Sequence, residues 1–253
     1  MTRSMTLIVR RIAAAAAVLA LSACATGSAQ LPLPDYAPIV QAQDRTDADR
    51  TLDQRRQPEK LLQFYGVRPG MNVLDMGASA GYNAELLARV VGDDGIVYAQ
   101  NTPQMLENVV KGRLAERMKR GTMGNVVPLA RPFDDPVPSD LRNLDLVTFN
   151  FVYHDTTFLG VDRAKMNRAV FQALKPGGVY IVADHSAKAG AAVEVGKSLH
   201  RIDEALVRRE VEAAGFRLAG SADFLRNPDD PRDANVFKNT VRNDEFVLKF
   251  VKP

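Results

Sequence analysis

Apolar positions recur along this chain at two different periods. Val73-Leu74 is a short run that ends at an acid, Asp75, and a small-residue turn follows, Gly77-Ala78-Ser79-Ala80-Gly81. Beyond the turn, Ala84, Leu87 and Val91 share one helical face, with Leu86 and Val90 beside it, until Gly92 stops the helix. A second apolar run, Ile96 to Ala99, ends in Asn101. Strand, turn, helix and strand make one βαβ unit. The alternation continues. Val126 to Ala130, Leu144 to Phe149 and Val179 to Ala183 predict the third, fourth and fifth strands, and Phe246 to Val251 alternates as a last one. Pro58-Glu59-Lys60 opens an earlier helix whose Leu61, Leu62, Phe64 and Tyr65 can face the sheet. Strands that alternate with helices argue for an α/β domain with a parallel sheet. No internal repeat and no second domain is visible.

The turn after Asp75 opens a helix, so its amide groups and the helix dipole are expected to face a ligand at the strand's C-terminal edge. The glycines fall as G-x-x-x-G, so the dinucleotide fingerprint G-x-G-x-x-G is absent. The pattern instead resembles the first motif of class I S-adenosylmethionine (SAM)-dependent methyltransferases, acid-x-G-x-G-x-G. Asp75, Gly77 and Gly81 match it, and Ser79 replaces the middle glycine. Leu174-Lys175-Pro176-Gly177-Gly178 before the fifth strand is similar to another mark of that superfamily. So are Val67-Arg68-Pro69-Gly70-Met71 before the first strand and Val211-Glu212-Ala213-Ala214-Gly215-Phe216 before the sixth. The resemblance covers about Pro58 to Val251. It implies a Rossmann-like, mostly parallel seven-stranded sheet, an antiparallel last strand, helices on both faces, and SAM as cofactor.

Open α/β sheets bind ligands at the C-terminal ends of their strands. By the resemblance, Asp75, Gly77, Ser79 and Gly81 form the methionine side of a SAM site. Asn101 stands where the family usually has a ribose-binding acid, and Asp134 where an acid meets the adenine amino group. The fourth strand runs into Asn150-Phe151-Val152-Tyr153-His154-Asp155 and the fifth into Asp184-His185-Ser186. Two of the three histidines therefore lie at adjacent strand ends, each beside an aspartate. A histidine titrating near neutrality can take a proton from a hydroxyl or amine nucleophile. His154 is the preferred base, with Asp155 and His185 as catalytic partners, although neighbours on an extended segment point apart. His200 precedes a later helix and suits either the substrate side or a structural role. Grouping His154, Asp155, Asp184 and His185 as metal ligands is the weaker alternative. No compact motif such as H-E-x-x-H supports it, and the primary reading carries no metal.

Arg3, Arg10 and Arg11 precede an apolar run, Ile12 to Leu21, the layout of a secretory signal. Leu21-Ser22-Ala23-Cys24 resembles a bacterial lipobox, in which Cys24, the only cysteine, is lipidated. The expected organisation is a lipoprotein signal over 1–23, a tether and N-terminal helical segment over 24–57, and the methyltransferase-like domain over 58–253. The three arginines of 1–23 account for the whole net charge of +3, so the remainder is neutral and gives no argument for nucleic-acid binding. Basic residues in Lys111 to Arg120 read more simply as a solvated helix face than as a contact with anionic lipid or substrate. The expected protein is periplasmic and anchored to the membrane through lipid. It would methylate a hydroxyl or amine of a small molecule. A non-catalytic ligand-binding lipoprotein and, less favoured, a metal-dependent hydrolase are the alternatives. The oligomeric state is not legible.

Overall fold

The computed structural model describes residues 32–253, so the signal segment and Cys24 lie outside the described residues. The compact unit runs from Leu33 to Pro253. It therefore begins well before Pro58, because the stretch expected as a tether and helical segment packs onto the sheet domain. Tyr36 is buried and its hydroxyl donates to the Val67 carbonyl at 2.7 Å. Three helices follow: α1 (Ala37–Val40), α2 (Asp47–Arg56) and α3 (Pro58–Tyr65). The charge-dense stretch forms α2 because its start is capped twice. The Thr46 hydroxyl accepts from the Asp49 amide at 3.2 Å while the Asp49 carboxylate accepts from the Thr46 amide at 3.4 Å. Acids in its first turn and arginines in its last complement the helix dipole.

Seven strands form one sheet: β1 (Asn72–Met76), β2 (Ile96–Asn101), β3 (Val126–Ala130), β4 (Leu144–Asn150), β5 (Leu174–His185), β6 (Arg217–Ala222) and β7 (Glu245–Val251). Their order is β3-β2-β1-β4-β5-β7-β6. The first five strands pair in parallel, and β7 runs antiparallel to both β5 and β6. This is the sheet the sequence predicts. Only β5 is notably longer than expected: it begins at Leu174, with an irregular step in its pairing with β4 where Leu174-Lys175-Pro176-Gly177-Gly178 turns. Strand order reverses between β1 and β4, the place where open α/β sheets hold ligands.

The remaining helices are α4 (Tyr82–Val91), α5 (Pro103–Met105, which runs into a π-type turn over Leu106–Val110), α6 (Arg113–Met118), α7 (Arg163–Ala173), α8 (Val195–Leu199) and α9 (Glu204–Ala213). Side chains alternate across each strand and so feed two cores. Val73, Leu146, Ile181 and Ala183 join Leu87 and Val91 of α4 on one face. Leu74, Val147, Tyr180 and Val182 join Val170 of α7 and Val207 of α9 on the other. Leu87 is fully buried, so truncating it to alanine costs about 2–5 kcal/mol. Asp75 follows the parity of Val73 and points toward α4, into an otherwise apolar face.

Candidate functional site

The turn between β1 and α4 is held mainly by its own amides. Gly77 has φ +62° and its N–H donates to Gln100 Oε1 at 3.0 Å. The Ala78 amide reaches the Gln100 carbonyl at 2.9 Å, and the Gly81 amide reaches the Ala78 carbonyl at 2.8 Å. Ser79 adopts φ +52°, a left-handed conformation usually left to glycine. Asn101 holds it there: Oδ1 accepts from the Ser79 amide at 2.8 Å and Nδ2 donates to the Ser79 carbonyl at 3.2 Å. The amides of Gly77, Ala78, Ser79 and Gly81, expected to face a ligand, are thus spent within the protein. The turn contributes a wall of small residues rather than a row of free donors.

These contacts reassign three of the cofactor residues expected from sequence. Asn101 is fully buried and does not line the cavity; both ends of its amide secure the turn. Gly81 lies outside the lining as well. A Cβ there would sit 2.8 Å from Leu114 Cδ1, so glycine is needed to seat α6 against the turn. Asp134 also lies outside the lining and its carboxylate is 3.5 Å from Lys165 Nζ. Asp75, Gly77 and Ser79 do line the cavity.

A buried ion network braces the same turn. Arg117 Nε donates to the Ala80 carbonyl at 2.8 Å. Its two terminal nitrogens hold Asp49 of α2 and Glu85 of α4, each at 2.6 Å. Arg120 adds a contact to Glu85 at 2.8 Å. Burial raises the Asp49 carboxyl's pKa, but the hydrogen bonds from Arg117 and Thr46 outweigh it and hold the group below its ordinary range. The basic stretch is therefore not simply a solvated face. Arg117 and Arg120 tie three helices together, whereas Lys119 pairs with Glu116 at the exposed surface.

The cavity has a volume of about 800 Å3 and opens over the ends of β1 and β4. Asp75 forms its charged floor. Asp75 Oδ1 accepts from Asn83 Nδ2 at 2.8 Å and from Thr148 Oγ1 at 2.7 Å, while Oδ2 is buried with no partner. Burial pushes this carboxyl up to about 6, against the pull of those hydrogen bonds. On the α2 side of the wall, the Arg56 guanidinium lies 3.3 Å from the centroid of the Phe151 ring.

At the opposite end three polar side chains converge. His154, Asp155 and His200 each bring one ligating atom into a single cluster. His154 Nε2 is 3.2 Å from Asp155 Oδ1 and 3.2 Å from His200 Nδ1. Asp155 reaches its neighbour because Tyr153–Thr157 is a 3-10 turn, not the extended segment expected. The other imidazole nitrogen, Nδ1, meets the fully buried Asp184 Oδ1 at 2.7 Å. Burial disfavours a charge on His154, but the Asp184 carboxylate and the hydrogen bonds the ring donates to Asp155 and Asp184 prevail and raise it to about 10. In the metal-free protein this surround favours a proton on His154, which argues against its expected role as base.

His185 packs beside His154, with ring centroids 5.9 Å apart, but does not reach the cluster. It is buried behind Phe151, with Nδ1 3.1 Å from Glu245 Oε1 but poorly aligned for a hydrogen bond, and it does not line the cavity. Burial holds its pKa below the ordinary value despite Glu245. Asp155 and His200 do face the cavity. His200 sits at φ +53° at the end of α8, with its ring edge-on to Phe237 at 5.0 Å and to Phe158 at 6.3 Å.

Comparison with known proteins agrees with this architecture. The family profile of protein-L-isoaspartate(D-aspartate) O-methyltransferase matches residues 33–126. The ubiquinone/menaquinone biosynthesis C-methyltransferase UbiE of Vibrio campbellii is 33% identical over 122 residues, 48% of this chain and 44% of that protein. A SAM-dependent methyltransferase from Aquifex aeolicus superposes with a TM-score of 0.56 at 20% identity, over 83% of this chain and all of the other. The chain has the fold of the class I SAM-dependent methyltransferases and is similar to them in sequence over its N-terminal half. A putative sarcosine dimethylglycine methyltransferase from Galdieria sulphuraria shares the fold at a TM-score of 0.59 and 15% identity, over 85% of this chain and 90% of the other. The chain spans about half the length of the curated relatives it matches. The matched profile ends at the start of β3, so it covers the Asp75 end of the cavity and stops before the His154 cluster.

Proposed function

We propose that the chain transfers the methyl group of SAM to a hydroxyl or amine of a small molecule. The observation that carries this reading is Asp75 Oδ2, a buried carboxylate oxygen without a hydrogen-bond partner on a residue that lines the cavity. Such an atom is costly to leave unpaired and fits the ammonium of an amino-acid ligand. Arg56, on the cavity wall, supplies a cation for the carboxylate of the same moiety. The small side chains of Gly77, Ala78, Ser79 and Ala80 leave room for a ligand to lie against the turn. Amide side chains of Gln104 and Asn108, rather than an acid, face the cavity beyond β2 and are the polar groups available to a ribose. When bound, SAM supplies a methyl group on a sulfonium, which a nucleophile displaces in line.

The protein's part is alignment and proton handling. Phe158, Leu159 and Phe237 give the acceptor end an apolar rim. Asp155 and His200, not His154, stand where a proton leaving the nucleophile can be received. The arginine-led apolar segment and Cys24 support a location in the cell envelope with a lipid anchor.

Calorimetric titration of SAM into the full chain tests the proposal. Micromolar binding is expected, weakening about tenfold per pH unit below pH 6 as Asp75 takes up a proton. Wild-type binding that does not respond to Asp75→Asn would remove the basis of the reading.

A further inference from the structure

We infer that His154 Nε2, Asp155 Oδ1 and His200 Nδ1 form a binding site for a divalent transition-metal ion at the acceptor end of the cavity. The three atoms stand 3.2, 3.2 and 3.6 Å apart. Ligands about 2.0–2.2 Å from a tetrahedral zinc ion are separated by about 3.3–3.6 Å, so the triangle matches one face of such a sphere. The ligand set expected as an alternative from sequence, with Asp184 and His185, is not the one that converges. His185 does not reach the cluster, and His200 takes its place.

Three further observations favour an ion over a simple hydrogen-bonded relay. Metal-bound histidines usually engage a carboxylate through the second nitrogen, and Asp184 does this for His154 from a fully buried position. His200 is held in a left-handed backbone conformation that a non-glycine residue adopts at a cost, and that conformation brings Nδ1 to the cluster. Asp155 and His200 face the cavity, so the coordination positions left open point into the ligand space. Three protein ligands with an open position describe a reactive site rather than a closed structural one. Two imidazoles with one carboxylate suit zinc or iron(II) better than magnesium or calcium.

The ion's role rests on the methyl-transfer reading, although the site itself does not. A hydroxyl oxygen of the acceptor in the open position would be acidified by the ion and release its proton to solvent. The resulting oxygen anion forms the new O–CH3 bond as the C–S bond breaks, and the sulfur keeps that electron pair. With the ion present, His200 acts as a ligand and does not receive the proton.

The test uses the full chain, stripped with a chelator and titrated with Zn2+ and separately with Co2+. One equivalent of Zn2+ is expected to bind below micromolar Kd. Co2+ should show the intense visible absorption of four- or five-coordinate geometry. His200→Gly removes the ligand while relieving the backbone, so it should fold and weaken Zn2+ binding at least a hundredfold. Asp184→Asn should weaken it about 10–100-fold. Equal Zn2+ affinity in wild type and His200→Gly, or a pale octahedral cobalt spectrum, would overturn the site. SAM titration of the stripped chain separates the two readings. Intact SAM binding without the metal site overturns only this inference, whereas a metal site without SAM binding upholds it and sinks the methyl-transfer reading.

Discussion

The two ends of the cavity are built differently. At the Asp75 end, the lining comes largely from one continuous stretch, 75–83, with the partners of its turn at the end of the adjacent β2. At the His154 end, the cluster joins a 3-10 turn after β4, the end of β5 and a residue after α8, 46 positions beyond His154. The first end is preorganised by backbone and neighbouring side chains. The second is preorganised by charge, through one imidazole held between two carboxylates. Contiguous motifs constrain each residue by local sterics, while the second end depends on long-range placement that a different chain could replace wholesale.

The largest expected effect removes the brace of the first end. Arg117→Ala leaves Asp49 buried without its principal partner, while Glu85 keeps Arg89 and Arg120, and should cost about 3 kcal/mol in chemical denaturation. SAM affinity should fall with it, because the Ala80 carbonyl also loses its donor. A cost below about 1 kcal/mol would mean that Arg89 and Arg120 suffice and that the turn is held by its own amides.

The two ends should also separate by pH. His154 is raised from 6.5 to about 10, so its contribution is fully present below pH 6.5 and is lost as pH rises through 10. Asp75 is raised from 3.8 to about 6, so the native state holds the extra proton and stability falls as pH rises from about 4 to 6. Melting temperature against pH for the metal-free chain should therefore decline in two windows. Asp184→Asn should flatten the upper one only. Asp75→Asn should flatten the lower one only and stabilise the fold at pH 7 by up to about 3 kcal/mol, with no gain at pH 4. It should also lose SAM binding by about a hundredfold or more. A mutant that flattened both windows would show that the ends are coupled.

This division also explains what the sequence disclosed. The strand–turn–helix pattern, the sheet and its antiparallel last strand were legible because apolar period and turn residues are local properties. Asp75, Gly77 and Ser79 were legible for the same reason. His200 was only half visible, since nothing nearby in sequence shows that a left-handed residue after α8 crosses to meet His154. His185 misled because adjacency at a strand end does not say which way a side chain points, and its Nδ1 lies on the side of Glu245 on β7. Asn101 misled because a motif position was read as a ligand when its amide serves the turn.

That last case yields a sharper, smaller prediction. Ser79 and Asn101 both depart from the superfamily pattern, and the structure makes them one device: a residue at φ +52° and the amide that pins it. Asn101→Asp, which restores the usual acid, keeps the bond from the Ser79 amide but sets a carboxylate against the Ser79 carbonyl. It should cost about 1–3 kcal/mol and should not tighten SAM binding. Asn101→Ala loses both hydrogen bonds and frees a strained serine. Ser79→Gly alone should be nearly neutral, since glycine relieves the left-handed backbone but adds freedom to the unfolded chain. In the Asn101→Ala background, the same change should recover stability, because the backbone then needs no pin. A double-mutant cycle by urea denaturation should give a coupling of about 1 kcal/mol. Strict additivity would mean that Asn101 acts on something other than the Ser79 backbone, and the two departures would then be independent.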